Sequence, residues 1–222
     1  MNLYLTSFCS AARQTLEALL GFHPPWTLSG RAALWWRTAE SDSVRQLSLV
    51  WYGRDSLGTL SRDVRARLAA ADLKLTVLHS SPRRLWLAVS NTESACSLKL
   101  IAEPEGPLVR PWQTEFNGHL IYVASWRDIL QTTLCSLCEG SNPEEAGDLF
   151  LLSRRRRGPS LKQGLLDAHR RNPGFDPHQL AAALASIGVR DVDLPQRDWA
   201  DFRRFQKELV FRLMSHHEGG ET

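Results

Sequence analysis

No hydrophobic run in this chain approaches the roughly 20 apolar residues that a bilayer-spanning helix needs, since charged or polar residues break every one well short of that. The sequence therefore points away from a transmembrane helix. Cysteine is equally sparse. Cys9, Cys96, Cys135 and Cys138 are too few and too scattered for a disulfide framework in 222 residues. Cys135 and Cys138 form a C-x-x-C, but in a helical pattern and with no second Cys or His pair to close a zinc site. His79 and His119 lack a partner at ligand spacing, and His216 and His217 stand near the end, so no metal site is expected from them. Neither a G-x-S-x-G elbow nor a Walker phosphate loop occurs, which removes the commonest hydrolase and NTPase readings. The opening "MNLYLTSFCSAARQTLEALLGF" is interrupted by Thr6, Ser7, Arg13, Gln14 and Glu17, unlike a secretory signal. It reads as the amphipathic first helix of a cytoplasmic protein.

What remains is an ordinary globular composition, 43% hydrophobic and 23% charged. The net charge of +3 conceals an asymmetry. Residues 1 to 149 hold 14 Lys and Arg against 15 Asp and Glu, whereas 150 to 217 hold 13 against 7. Basic surface thus belongs to the C-terminal part, which suits either nucleic acid or an acidic partner, or a solvated helix face.

Local patterns give an order of elements. "GFHPP" breaks the first helix, and "WTLSG" is a short strand and turn into the helix "RAALWWRTA". "VRQLSLVWYG" alternates as a strand does, and "SLGTLSRDVRARLAAADL" is an amphipathic helix. "KLTVLHSS", "RLWLAVSN", "ACSLKLIAE" and "GHLIYVAS" follow as strands, with a proline-bounded loop before the last. From "WRDILQTTLCSLCEG" onward only helices are expected, one of them opened by Asn142 and Pro143 and running through the arginines to Gly158, another capped by Asp176 with Pro177. The result is an α+β protein, a mixed sheet flanked by helices and followed by a helical C-terminal region. The expected division is a sheet domain over 1–158, a helical region over 159–217 and a frayed tail over 218–222.

These segments carry a resemblance. "SGRAAL" (Ser29 to Leu34), "RQLSLVWY" (Arg45 to Tyr52), "SLKLIAE" (Ser97 to Glu103), "SWRDILQTTL" (Ser125 to Leu134) and "EEAGDLFLL" (Glu144 to Leu152) follow in order and spacing the motifs of the AbiEii/AbiGii family. That family has a "GGTAL"-like turn, an "RRSxDhDhh"-like strand, a later acid, an "S-x-x-D-h-h-x-x-K" helix and an "R-D-x-x-D-L" helix. The resemblance implies a nucleotidyltransferase-like fold of the DNA polymerase β type, in a bacterial protein related to abortive-infection and toxin–antitoxin toxins.

The chemistry it implies needs carboxylates, because divalent metals neutralise the charge that builds up during nucleotidyl transfer and magnesium takes oxygen ligands. The three matching positions are Ser48, Val50 and Ile101, and none is acidic. The family's lysine falls near Thr132 or Thr133. Glu103 is the best substitute acid, two residues beyond Ile101 and so on its face of the strand, with Asp55, Glu40 and Asp42 less well placed. What persists is Ser29, Gly30 and Arg31 in the turn, Arg45 before the strand, and Asp128 and Asp148 in the later helices, the nucleotide- or phosphate-binding candidates. The basic run Arg154, Arg155, Arg156 and Arg157 could meet phosphates or simply complement a helix end. Trp35, Trp36, Trp51 and Tyr52 could stack on a base or fill the core.

The sequence reading is thus of a catalytically inactive relative that binds a nucleotide, an RNA or a protein partner such as an antitoxin, without cofactor. Two alternatives stand beside it. One is an active transferase toxin, using magnesium to move a nucleoside monophosphate from NTP to RNA or protein. The other is a structural interaction module with no ligand.

Overall fold

A computed structural model describes residues 8–38, 44–140, 142–155 and 158–215. In chain order the elements are α1 (Ser10–Ala18), β1 (Thr27–Ser29), α2 (Gly30–Thr38), β2 (Gln46–Tyr52), α3 (Leu60–Ala70), β3 (Lys74–Ser80), β4 (Arg84–Ser90), β5 (Ala95–Glu103), β6 (Trp112–Phe116), β7 (His119–Val123), α4 (Trp126–Glu139), α5 (Pro143–Ser153), α6 (Leu161–Arg171), α7 (Pro177–Ser186) and α8 (Trp199–Ser215). The expected α+β class holds, with a mixed sheet followed by helices alone. The chain divides into two compact units between Ser125 and Trp126.

The first unit is built on a seven-stranded sheet in the order β3-β4-β5-β2-β1-β7-β6. β2 runs parallel to β5 and β1 parallel to β7, while the other neighbours are antiparallel. Alternation along the strands sorts side chains onto two faces. One face carries Leu28, Leu47, Leu49, Leu85, Leu87, Val89, Leu98 and Leu100, all buried. Trp51 joins them, its indole N–H donating to the Pro24 carbonyl at 2.9 Å and its ring edge-on to Phe22. Helix α1 packs on β4 and β5, and α3 on β3. Trp35 and Trp36 are also buried, the latter edge-on to Phe8 and Phe116.

Strand β6 is absent from the sequence expectation for a physical reason. It is an edge strand in which only Phe116 is buried, so it shows no apolar alternation.

In the second unit α4 packs against α5, α6 and α7, and α7 against α8. Asn142 accepts from the Glu144 amide at 3.0 Å and Asp176 from the His178 amide at 2.8 Å, so both expected caps are made. Helix α5 stops at Ser153, short of the expected run through the arginines, with Arg154 at its C-cap and the Arg155 amide bonded back to the Leu152 carbonyl at 3.2 Å. Gly164 lets α6 approach α4, since an added Cβ would lie 2.6 Å from Leu130 Cδ2.

Candidate functional site

The second sheet face holds the sequence-matched positions. Register pairs Ser29 of β1 with Ser48 of β2, and Ser48 with Lys99 of β5. Val50 pairs with Thr27 on one side and Ile101 on the other, and Tyr52 pairs with Glu103. One face therefore presents Ser29, Ser48, Val50, Lys99, Ile101 and Glu103 together.

The turn from β1 into α2 closes one end of this row. Gly30 has a φ of +59°, where an L side chain is strained, and an added Cβ would lie 3.2 Å from Ser48 Oγ. Glycine thus brings the helix start against β2. The first amides of α2 carry the partial positive charge common to helix N-termini, suited to an anion. Ser29 precedes them with a side chain 0% exposed, and its hydroxyl has no hydrogen-bond partner among the described residues. Leaving a buried polar group unsatisfied costs about 1–3 kcal/mol, so this hydroxyl is an unmet polar group at the start of α2. Arg31 follows, also buried.

The electrostatics of the row differ from those of a magnesium site. Lys99 is only 8% exposed, and its Nζ lies 4.9 Å from the centroid of the Trp86 ring on β4. A cation in register beside Ser48 repels a divalent ion where carboxylates would attract one. Val50 is buried and apolar, and Ile101 offers no donor. Glu103 is the one acid among these positions, half-buried at the end of β5. Asp55 is exposed beyond β2, where its backbone carbonyl accepts from Arg83 Nε at 3.3 Å. Among the described residues no group of three or more His, Cys, Asp or Glu side chains could hold a metal ion. The donor set here, hydroxyls and an ammonium, does not fit magnesium. Glu40 and Asp42 lie outside the described residues.

The other candidates belong to two units. Arg45 is exposed at the start of β2, where its carbonyl accepts from the Ser97 amide at 2.8 Å. In the second unit Asp128 and Asp148 are both 1% exposed. Asp128 Oδ1 lies 3.9 Å from Arg171 Nη1, itself buried. Arg154 pairs with Asp198 at 3.0 Å and lies over the Phe150 ring, while Arg155 lies over Trp126. Arg156 and Arg157 lie outside the described residues. The described part of the basic run is therefore engaged within its own unit.

Sequence reasoning passed over Lys99, although the alternation of "SLKLIAE" sets it on the face of Ile101. It also passed over Arg110 and Tyr122, which reach this face only through the long-range pairing of β1 with β7.

No family model and no curated protein matches the sequence. Among solved structures the chain is similar to a candidate nucleotidyltransferase from Helicobacter pylori, at 16% identity over 95% of this chain and 94% of that one, with a TM-score of 0.49. JHP933 from Helicobacter pylori is similar at 14% identity over 93% and 91%, with a TM-score of 0.48. An antigenic nucleotidyltransferase-like protein from Paracoccidioides brasiliensis is similar at 14% identity over 91% and 92%, with a TM-score of 0.39.

Proposed function

We propose that this protein is a nucleotidyltransferase-type protein that has lost catalysis and binds a nucleotide through its phosphates without a divalent metal. The observation that carries the reading is Lys99 paired in register with Ser48, in the row where the resemblance calls for metal-binding carboxylates. A fixed ammonium neutralises phosphate charge directly, as a metal otherwise does. The N-terminus of α2 and the Ser29 hydroxyl add donors to the same anion. The relation to abortive-infection toxins rests on the sequence resemblance alone, and so does any antitoxin partner. A metal-dependent transferase would need several carboxylates, and Glu103 alone is a poor substitute.

Calorimetric titration of the purified protein with each NTP, in chelator and in magnesium, tests the proposal. Binding in chelator at least as tight as in magnesium is the expected result. Lys99→Met should weaken it about tenfold, the scale of one hydrogen-bonded charge contact. Magnesium-dependent binding accompanied by nucleotide transfer would overturn the proposal.

A further inference from the structure

Beside the phosphate row the same sheet face holds a cavity of about 360 Å³ that no sequence motif announced. Pro25 and Thr27 line it from the start of β1, Tyr52 from the end of β2, Tyr122 from β7, and Arg110 and Gln113 from the segment entering and forming β6. Register fixes the arrangement, since Thr27 pairs with Tyr122 and Tyr122 with Gln113. Thr27 also pairs with Val50, so the cavity adjoins the row of Ser48 and Val50 directly.

The geometry points to a nucleobase pocket. Its volume suits one small organic group with aromatic walls and a few polar contacts. The chain has three tyrosines, and two of them line this one cavity. They stand on the strands flanking β1 and two residues apart in level, roughly 12 Å from each other by strand spacing and rise. Two successive aromatic contacts span roughly 9–14 Å, so a planar ring fits between them. Stacking of this kind accepts any base. Arg110 and Gln113 supply what two phenol rings do not, directional donors for the acceptor atoms on a base edge. Arg110 is exposed and makes no ion pair among the described residues, so its guanidinium is available to a ligand. From Thr27 to Ser29 is two residues along an extended strand, roughly 7 Å. A ribose bridges that span, which sets the base in the cavity while its phosphates lie toward Ser29 and Gly30.

The inference rests on the phosphate-binding reading and extends it from an anion to a base. Parallel titrations with ATP, GTP, CTP, UTP and inorganic tripolyphosphate, all in chelator, separate the two. The wild type should bind nucleotides about tenfold or more tighter than tripolyphosphate. Tyr122→Ala and Arg110→Ala should each erase most of that difference and leave tripolyphosphate binding unchanged, whereas Tyr122→Phe should behave as wild type. Melting curves for each variant show that it is folded, and Arg110, being exposed, gives a test that folding does not confound. Equal binding of nucleotide and tripolyphosphate would overturn the base pocket and leave the phosphate site standing. Loss of tripolyphosphate binding in Arg110→Ala would likewise overturn it, by making Arg110 a phosphate contact. Binding of neither probe would overturn both readings. A single-stranded oligoribonucleotide competing more tightly than mononucleotide would assign the base to an RNA end, and weaker competition to a free nucleotide.

Discussion

Gly30 and Ser29 divide two tasks that a sequence motif fuses into one. Gly30 suits the fold, because its φ of +59° strains an L side chain and an added Cβ would crowd Ser48 Oγ at 3.2 Å. Gly30→Ala should cost about 1–2 kcal/mol of stability, read as a lower denaturant midpoint with unchanged slope. Ser29 is the opposite case. Its buried hydroxyl has no partner among the described residues, so Ser29→Ala relieves a cost and should melt at or above the wild-type temperature. The same variant should bind NTP or tripolyphosphate several-fold more weakly. Stability held or gained while binding falls is a pattern that a purely architectural turn does not give. A melting temperature that drops with binding unaltered would assign Ser29 to the fold.

Elements of the second unit are tied by an ion pair that the sequence does not advertise. Arg127 of α4 donates to both carboxylate oxygens of Asp167 on α6, from Nε at 2.6 Å and Nη2 at 2.7 Å. These hydrogen bonds, with a further one from Gln163, hold the Asp167 carboxyl below the usual carboxylate range, against the opposing effect of its burial. The sign follows from that direction. Stability from the pair is fully present above the unfolded carboxyl value of about 3.9 and is lost as pH falls through the lower folded one. Asp167→Asn should destabilise the protein by about 2–3 kcal/mol near neutrality, where it strands Arg127. It should also flatten the fall in melting temperature on acidification below about pH 4. Equal acid sensitivity of variant and wild type would contradict this. Close helix packing makes a second demand, since Gly164→Ala drives a methyl into Leu130 on α4 and should cost about 1–3 kcal/mol by thermal melt.

At the scale of the molecule, legibility followed the range of the interaction. Strands such as Arg84–Ser90 could be read because one face is buried and the other half-exposed, and helix starts at Asn142 and Asp176 because their caps are local. Edge strand β6 and the pocket it helps to line could not, because Tyr122 meets Thr27 across 95 residues and no local pattern records that pairing. Lys99 is legible in the alternation of "SLKLIAE", but a lysine matches none of the acidic positions by which the motif is recognised. Lys99 stands in register beside Ser48, one of the three positions where the resemblance calls for a carboxylate. The most direct test of metal-free binding is the binding of NTP to the folded protein in chelator, followed by titration of magnesium into the same sample. Tight binding in chelator, unchanged or weakened as magnesium rises, is the predicted result. Binding that appears only with magnesium would mean carboxylates assemble a metal site after all, and would contradict the account at its centre.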